Sequence, residues 1–177
     1  VTEGAHVLSL GSMAGALAAA VESTPHRPGD VVTVRLPDGA TTRLTRVNDD
    51  VLAGRRLGEV EELWYSSADG TRIQGWLVKP PGFDPGRRYP LILNIHGGPH
   101  SMYDVGFSYS FQHLAAAGYL VLLCNPRGSS GYGTDFGNAI DNAYPSVDFD
   151  DLMAGVDAVL ARGWVDPSRM YVTGVSG

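Results

Sequence analysis

The chain has 177 residues, of which 44% are hydrophobic and 18% charged, a composition that fits a globular protein of one domain or parts of two. Its formal net charge of −6 argues against a nucleic-acid-binding protein, because such proteins need a basic surface to displace counterions from phosphates. No apolar run is as long as a membrane-spanning helix, and no Cys and His residues have metal-ligand spacing, so we expect no membrane segment, metal or cofactor.

The first part of the chain predicts short antiparallel strands. Prolines, aspartates and glycines that favour turns separate the extended segments. Four such strands match the size of one β-propeller blade, and a small antiparallel sheet of another kind is the alternative. The expected strands are His6–Leu10, Ala16–Glu22, Val31–Leu36 and Thr41–Val47.

The rest of the chain has a different pattern. A connector with a short helix, Asn48–Leu57, leads to two strands on either side of Asp69–Gly70, a strong hairpin-turn signal. Apolar runs then alternate with helical patterns, which predicts a mostly parallel sheet with its ligand site beyond the carboxyl ends of the strands. The expected strands are Glu59–Ser66, Thr71–Lys79, Tyr89–Ile95, Tyr119–Cys124 and Met170–Thr173, and the expected helices are Phe107–Ala117 and Val147–Arg162.

The later helix has the clearer pattern. Aspartates in its first turn and Arg162 in its last turn complement the helix dipole, and Gly163 is a natural stop. Helical spacing predicts that six apolar residues share its buried face: Phe149, Leu152, Met153, Val156, Val159 and Leu160.

Ser176 is a candidate nucleophile. The segment Gly174–Gly177 follows an apolar strand and begins like the nucleophile elbow G-x-S-x-G, in which glycines permit a tight turn that lifts the serine hydroxyl above the sheet. On its own the segment is weak evidence, because glycine and serine are common in ordinary turns.

A second segment, His96–Pro99, follows the strand Tyr89–Ile95. Acyl transfer passes through a tetrahedral intermediate, whose negative oxygen is best stabilised by backbone N–H groups fixed in place beforehand. Two glycines let the backbone approach a substrate without side-chain collision. Gly98 and Gly177 are therefore the candidate oxyanion-hole donors, with an ordinary Gly–Gly–Pro turn as the alternative. Because both segments end strands of one sheet, together they favour a serine hydrolase.

A third segment, Asn125–Gly133, is rich in glycine and carries Arg127. Two roles are open to this arginine: it can contact a substrate carboxylate or carbonyl, or it can hold the loop. We favour the second, because a buried arginine needs a carboxylate partner. The candidate partners are Asp148, Asp150 and Asp151.

Together these segments resemble the prolyl oligopeptidase family of serine peptidases, and most closely its acylaminoacyl-peptidase branch. The resemblance runs from about Glu59 to the end and implies an α/β-hydrolase fold for residues 51–177 and the last blade of a β-propeller for residues 1–50. Family elbows more commonly have an aromatic residue or Asn where this chain has Gly177. The resemblance rests on HGGPH at His96–His100, NPRGSSGYG at Asn125–Gly133, DFDDLMAGVDAVL at Asp148–Leu160 and VDPSRMYVTGVSG at Val165–Gly177.

The resemblance also implies a Ser-Asp-His triad in which Ser176 forms an acyl-enzyme. In this fold the acid and the base follow the serine along the chain, so we expect both beyond Gly177. We accordingly expect residues 1–177 alone to be inactive and not to fold stably. For His96 we expect a bracing role in the oxyanion turn, with a substrate contact or a substitute for the missing base as the alternatives.

The expected activity is hydrolysis of short peptides, with release of N-acyl amino acids as its candidate form. A carboxylesterase or amidase of the same fold and a catalytically dead propeller–hydrolase binding protein are the alternatives. The expected partners are a peptide substrate, the remaining C-terminal part of the same protein, and further copies in a homo-oligomer. The single cysteine, Cys124, is expected in the core, and with no recognisable export signal it favours a cytoplasmic location.

Overall fold

The structure, a computed structural model, describes residues 2–176. The chain divides into two compact units, of which the first comprises Val1–Arg56 with Asp104–Tyr109 and the second comprises Leu57–Tyr103 with Ser110–Gly177. Among the described residues, no helix has the length and apolarity needed to cross a membrane.

The first unit contains an antiparallel sheet in which the strands neighbour one another in chain order. A short helix, α1 (Asp49–Leu52), follows the sheet, in the segment where a connector is predicted. Small apolar residues such as Ala20 and Val32 form the buried cluster of this unit. Within residues 2–176 the strands of this sheet are β1 (Val7–Ala14), β2 (Leu17–Thr24), β3 (Arg27–Arg35) and β4 (Thr41–Arg43).

Strand β4 is shorter than the predicted Thr41–Val47. Beyond Arg43 the chain instead contacts the side chain of Asp30, a fully buried residue of β3. Its Oδ1 accepts hydrogen bonds from Thr45 Oγ1 at 2.7 Å and from the backbone N–H of Val47 at 3.2 Å. Together with the guanidinium of Arg43, these groups satisfy the buried carboxylate.

The second unit contains a sheet with the strand order β5-β6-β8-β7-β9. The prediction of a mostly parallel sheet was wrong in part, because β6 pairs antiparallel with both β5 and β8, and only β7–β8 and β7–β9 are parallel pairs. The tight turn at Asp69–Gly70 forces β6 back along β5 and so makes the sheet mixed. The strands, over the described part of the chain, are β5 (Val60–Ser66), β6 (Arg72–Val78), β7 (Tyr89–Ile95), β8 (Leu120–Asn125) and β9 (Val165–Gly174).

Helices α2 (Tyr109–Ala116), α3 (Thr134–Asn138) and α4 (Val147–Leu160) accompany this sheet. Strands β7 and β8 supply much of the core, including the fully buried Leu91, Leu120 and Leu122. Cys124 is also fully buried, as predicted, and burial raises the pKa of its thiol to about 12. It is therefore a core residue rather than a nucleophile.

The buried face of α4 differs from the predicted one. Leu152, Val156 and Val159 are buried, but Phe149 and Met153 are 58% and 40% exposed. Their places are taken by Asp148, Asp151 and Gly155. A Cβ atom on Gly155 would lie 2.6 Å from the hydroxyl of Tyr65 and 2.8 Å from Cys124 Sγ, so α4 approaches the sheet most closely at this glycine. This close approach rotates the two large apolar side chains out to the surface.

The predicted place of Arg162 in the last turn of α4 was also wrong, because the helix ends at Leu160. Arg162 Nη1 instead forms an ion pair with Glu61 Oε1 of β5 at 2.5 Å. Its guanidinium also lies over the ring of Trp164, with 5.0 Å between Cζ and the ring centroid. The arginine thus connects the end of α4 to the sheet instead of complementing the helix dipole.

Candidate active site

The parallel pairing of β7 with β8 and β9 brings the carboxyl ends of these strands to one edge of the sheet, as the sequence predicts. Ile95, at the end of β7, pairs directly with Gly174, at the end of β9. The segments that follow these strands, His96–Pro99 and Val175–Ser176, therefore start as neighbours. We call this edge, with the loop Asn125–Gly133 after β8, the rim.

Ser176 has a backbone conformation that L residues rarely adopt. Its φ is +63°, and Asn142 is the other residue besides glycine with positive φ in the range 2–176. Such a left-handed conformation costs an L residue about 1–2 kcal/mol and persists where the surrounding structure imposes it, often at functional sites. A strained turn directly after a strand is the geometry that a nucleophile elbow requires.

The turn His96–Pro99 lies against Ser176. A Cβ atom on Gly97 would lie 2.4 Å from the carbonyl oxygen of Val175 and 3.0 Å from Ser176 Cβ, so only glycine fits there. Gly98 has a φ of +130°, and a Cβ atom on it would lie 2.6 Å from the backbone nitrogen of His100. Both glycines of the turn are thus required by the backbone. Gly177, the other candidate oxyanion donor, lies outside the described residues.

His96 connects the turn to the loop after β8. Its Nδ1 lies 2.8 Å from the carbonyl oxygen of Gly97, and its Nε2 lies 3.0 Å from Ser129 Oγ. The ring also packs edge-on against Tyr103, with 5.1 Å between the ring centroids. Both ring nitrogens thus have partners within the rim, which is the arrangement that a bracing role needs.

Arg127 is engaged by acidic partners. Its Nε and Nη2 donate to the two carboxylate oxygens of Asp151 at 3.0 and 2.7 Å, and its backbone N–H donates to Asp151 Oδ2 at 2.8 Å. Its Nη1 donates to Asp69 Oδ2 at 2.5 Å. The side-chain hydrogen bond that Arg127 donates to Asp151 is the main cause that raises the pKa of Arg127. These contacts favour the loop-holding role over substrate contact.

Of the three candidate acids on α4, Asp151 is the partner of Arg127. Asp148 Oδ1 instead accepts a hydrogen bond from the backbone N–H of Ser146 at 2.6 Å, and Asp150 is exposed. Asp69, the second partner, was not predicted. Hydrogen bonds from Thr71, followed by the one from Arg127, lower the pKa of Asp69 to about 2, so its carboxylate stays charged at neutral pH.

A partly buried polar network around Asn125 was also missed. The hydroxyl of Tyr103 donates to Asn94 Oδ1 at 2.6 Å, and the backbone N–H of Tyr103 donates to Asn125 Oδ1 at 2.8 Å. Asn125 Nδ2 donates to the hydroxyl of Tyr132 at 2.7 Å. The signal in the sequence was Asn94, a polar residue inside the otherwise apolar strand β7, since an amide in a core strand needs hydrogen-bond partners.

The rim also borders a small cavity of about 200 Å³. The turn, the loop after β8 and the start of α4 all contribute to its walls. Most of the lining is apolar and comes from Ile95, Pro99, Pro126, Phe149 and Leu152.

Comparison with known proteins gives a family match over the later part of the chain. Residues 105–177 match the family model described as "Prolyl oligopeptidase family". Over 153 residues the chain is 42% identical to the "Uncharacterized peptidase YuxL" of Bacillus subtilis, an alignment that covers 86% of this chain and 23% of that protein. The chain is thus similar to the prolyl oligopeptidase family, over residues 105–177 of its sequence. Its fold is accordingly that of an α/β-hydrolase, preceded by an antiparallel sheet.

Other similar proteins are peptidases as well. The chain is 30% identical over 153 residues to a dipeptidyl-peptidase 5 of Porphyromonas endodontalis. This alignment covers 84% of the chain and 22% of that protein. A solved structure of the Pyrococcus horikoshii acylaminoacyl peptidase superposes with a TM-score of 0.86 at 29% identity, over 98% of this chain and 28% of that one. The chain thus spans roughly a quarter of the length of these relatives.

Proposed function

We propose that the protein containing this chain is a serine peptidase that hydrolyses short peptides, with Ser176 as its nucleophile. The observation that carries the proposal is the left-handed conformation of Ser176, two residues after the end of β9. The neighbouring glycine turn tolerates no side chain at Gly97. An ordinary surface turn has no need for such strain or for so close an approach of two backbones. The match of residues 105–177 to the prolyl oligopeptidase family supports peptides as substrates.

In the proposed mechanism, Ser176 Oγ loses its proton to a histidine base and attacks the scissile carbonyl carbon. The negative oxygen of the tetrahedral intermediate accepts hydrogen bonds from the backbone N–H groups of Gly98 and Gly177. The intermediate collapses, the protonated base gives its proton to the leaving amine, and the acyl-enzyme is then hydrolysed by water. We propose that the histidine and the aspartate that orients it follow Gly177 in the chain.

We propose the release of N-acyl amino acids as the specific activity. The likeness to the acylaminoacyl peptidase structure, which covers nearly the whole chain, supports it. The 30% identity to a dipeptidyl-peptidase 5 favours a second candidate, the release of dipeptides from a free amino terminus. A panel of N-acetyl-aminoacyl and free dipeptidyl p-nitroanilides, tested on the full-length protein, separates the two.

The decisive experiment on the proposal combines a probe with substrates. A fluorophosphonate probe is expected to label Ser176 in the full-length protein and not in its Ser176→Ala variant, and wild-type protein is expected to cleave peptides. Turnover of p-nitrophenyl esters with no peptide cleaved would support a carboxylesterase or amidase instead. A folded protein with neither labelling nor turnover would be the catalytically dead binding protein.

We also propose that residues 1–50 are the C-terminal part of a β-propeller and residues 51–177 the first part of the hydrolase domain. The support is that the β1–β4 sheet is apolar on both faces: Ala18 and Val32 are buried on one face, whereas Val21 and Val31 are 45% and 38% exposed on the other. A blade inside a propeller is covered on both faces by its neighbours. A crystal structure of the full-length protein tests the assignment.

Assembly into a homo-oligomer and a cytoplasmic location are further proposals about the full-length protein. Light scattering coupled to size-exclusion chromatography tests the first, with a monomeric mass as the contrary result. Fractionation of the source cells tests the second, with recovery outside the cytoplasm as the contrary result.

A further inference from the structure

The peptide that joins Gly97 to Gly98 has a hydrogen bond on its carbonyl side. The Gly97 oxygen lies 2.8 Å from His96 Nδ1. A carbonyl oxygen only accepts, so Nδ1 must carry the proton and donate. The peptide is trans, because the cis peptides among the described residues are Gly98–Pro99 and Tyr144–Pro145. In a planar trans peptide the C=O and N–H bonds point in opposite directions. The bond from His96 therefore also fixes the direction of the Gly98 N–H.

The second nitrogen of the imidazole ring, Nε2, contacts the hydroxyl of Ser129. This residue is 1% exposed, and its Oγ lies 3.0 Å from His96 Nε2 and 2.6 Å from the carbonyl oxygen of Pro126. Its proton is directed either to Pro126 or to His96. Because Nδ1 carries the proton that faces Gly97, Nε2 of the neutral ring is an acceptor, and its contact with Ser129 is a hydrogen bond when the serine proton is directed to His96. The Pro126 oxygen then still accepts from the backbone N–H of Ser129.

Ser129 is itself held firmly. Its backbone N–H donates to the carbonyl oxygen of Pro126 at 3.0 Å, and the loop is anchored to α4 through the paired Arg127 and Asp151. His100 adds a further connection, because its Nδ1 lies 3.0 Å from the carbonyl oxygen of Gly128. A buried hydroxyl on an anchored loop is suited to fixing the ring of His96, because its own position is set by other contacts.

We propose that Ser129 is a positioning residue for the oxyanion hole. Ser129 fixes the ring of His96, and the ring in turn fixes the plane of the Gly97–Gly98 peptide. The Gly98 N–H is thereby directed at the position of the negative oxygen in the tetrahedral intermediate. The catalytic consequence rests on the proposed function. The role of Ser129 was not part of the sequence prediction, in which its segment was expected only to form a shaped loop.

The first test is kinetic and uses the full-length protein with Ser129→Ala. Removal of an entire oxyanion donor costs about 100- to 1,000-fold in kcat, and a misdirected donor loses part of that. We expect kcat to fall about tenfold with KM within about twofold, because the donor acts mainly on the transition state. The inhibition constant of a peptidyl trifluoromethyl ketone, whose hemiketal oxygen occupies the hole, should rise about tenfold. The matched control is Ser130→Ala, an exposed serine of the same loop, which should leave all three values unchanged.

An unchanged kcat for folded Ser129→Ala, a loss carried by KM, or an unchanged ketone affinity would each overturn the proposal. Should Ser129→Ala yield no folded protein, Ser129→Cys replaces it, because a thiol keeps the shape and donates only weakly. A wild-type kcat for Ser129→Cys would also overturn the proposal.

A double-mutant cycle tests whether Ser129 acts through His96. His96→Asn keeps an amide donor near the Nδ1 position but is too short to reach Ser129. In that background Ser129→Ala should change kcat/KM by less than about twofold, because the relay is already broken. A full tenfold loss in the His96→Asn background would show that Ser129 acts by another route.

Crystal structures of full-length wild type and Ser129→Ala separate this proposal from the proposed function. A rotated Gly97–Gly98 peptide in the variant supports the relay even if the wild type cleaves no substrate, in which case only the proposed function fails. An unrotated peptide overturns the relay even if the wild type is an active peptidase.

Discussion

The strain at Ser176 can be measured in catalytically inactive variants. With φ at +63°, an L side chain costs about 1–2 kcal/mol, whereas glycine adopts the conformation freely at an unfolded-state entropy cost of about 0.5–1 kcal/mol. We therefore expect full-length Ser176→Gly to be more stable than Ser176→Ala by up to about 1 kcal/mol. Chemical denaturation of both variants measures the difference.

The same pair of substitutions at Ser110, an exposed residue of α2, is the control. In a helix alanine is favoured over glycine by about 0.5–1 kcal/mol, so the order of stabilities should reverse. If the alanine variant is the more stable one at both positions, Ser176 is not strained.

Gly97 should not tolerate even a methyl group. In Gly97→Ala the new Cβ would collide with the carbonyl of Val175 and with Ser176, so the turn and the elbow must separate. We expect kcat of the full-length protein to fall about 100-fold, comparable to the loss of an oxyanion donor, with little change in KM. Peptidase assays measure both values.

The control for Gly97→Ala is Gly137→Ala in α3, where a Cβ would lie 3.9 Å from the carbonyl oxygen of Ser129, an ordinary contact. That variant should keep wild-type kinetics. Wild-type kinetics in Gly97→Ala as well would mean that the turn does not support catalysis.

At the residue scale the sequence was informative for the glycine turn after β7 and for the segment around Ser176. The turn His96–Pro99 and the elbow were visible because a Gly pair and a G-x-S pattern report close backbone approach. The sequence limited the partner of Arg127 to three aspartates of α4 but did not distinguish Asp151 from the other two. Which aspartate faces Arg127 depends on how α4 is rotated on the sheet. Ser129 gave no signal, since a serine in a loop is common for many reasons.

The attachment of α4 to the rim depends on Asp151. The side chain is fully buried and compensates both the guanidinium and the backbone N–H of Arg127. Removing one partner of a buried ion pair leaves an uncompensated charge, so Asp151→Ala should lower the free energy of unfolding of the full-length protein by about 3–5 kcal/mol. Denaturant titration measures the loss.

Asp150 provides the comparison within the same helix. Because it is exposed, Asp150→Ala should change the free energy of unfolding by no more than about 0.5 kcal/mol. Equal effects of the two substitutions would contradict the role assigned to Asp151.

Among the elements, strands in the core were predicted well and the face of α4 was not. The bounds of β7 agree residue for residue with the predicted Tyr89–Ile95, because a continuous apolar run ends where Gly and Pro begin. For α4, apolar periodicity ignored Gly155, although the absence of a side chain is what lets the helix approach the sheet there. Strand β9 begins at Val165, earlier than the predicted Met170, because it pairs with β7 despite its polar residues.

On the scale of the whole molecule, β9 exposes a large apolar surface. Tyr171 and Val172 are 52% and 67% exposed, and the strand forms one edge of its sheet. An exposed apolar edge strand promotes aggregation. We therefore expect residues 1–177, expressed alone, to show no cooperative thermal melt by circular dichroism and to label with no fluorophosphonate probe. A cooperative melt with native-like secondary structure would refute the expectation of instability.

The chain order of the two units also has a practical consequence. Asp104–Tyr109 belongs to the first unit although the residues on both sides belong to the second, and within the first unit the backbone N–H of Phe107 donates to Ser23 Oγ at 2.9 Å. A gene divided after Arg56 would thus produce one polypeptide that lacks part of its own unit and another that carries a stray loop. Anyone who wishes to purify the two halves separately should replace that loop by a short flexible spacer in the second polypeptide and supply it as a peptide to the first.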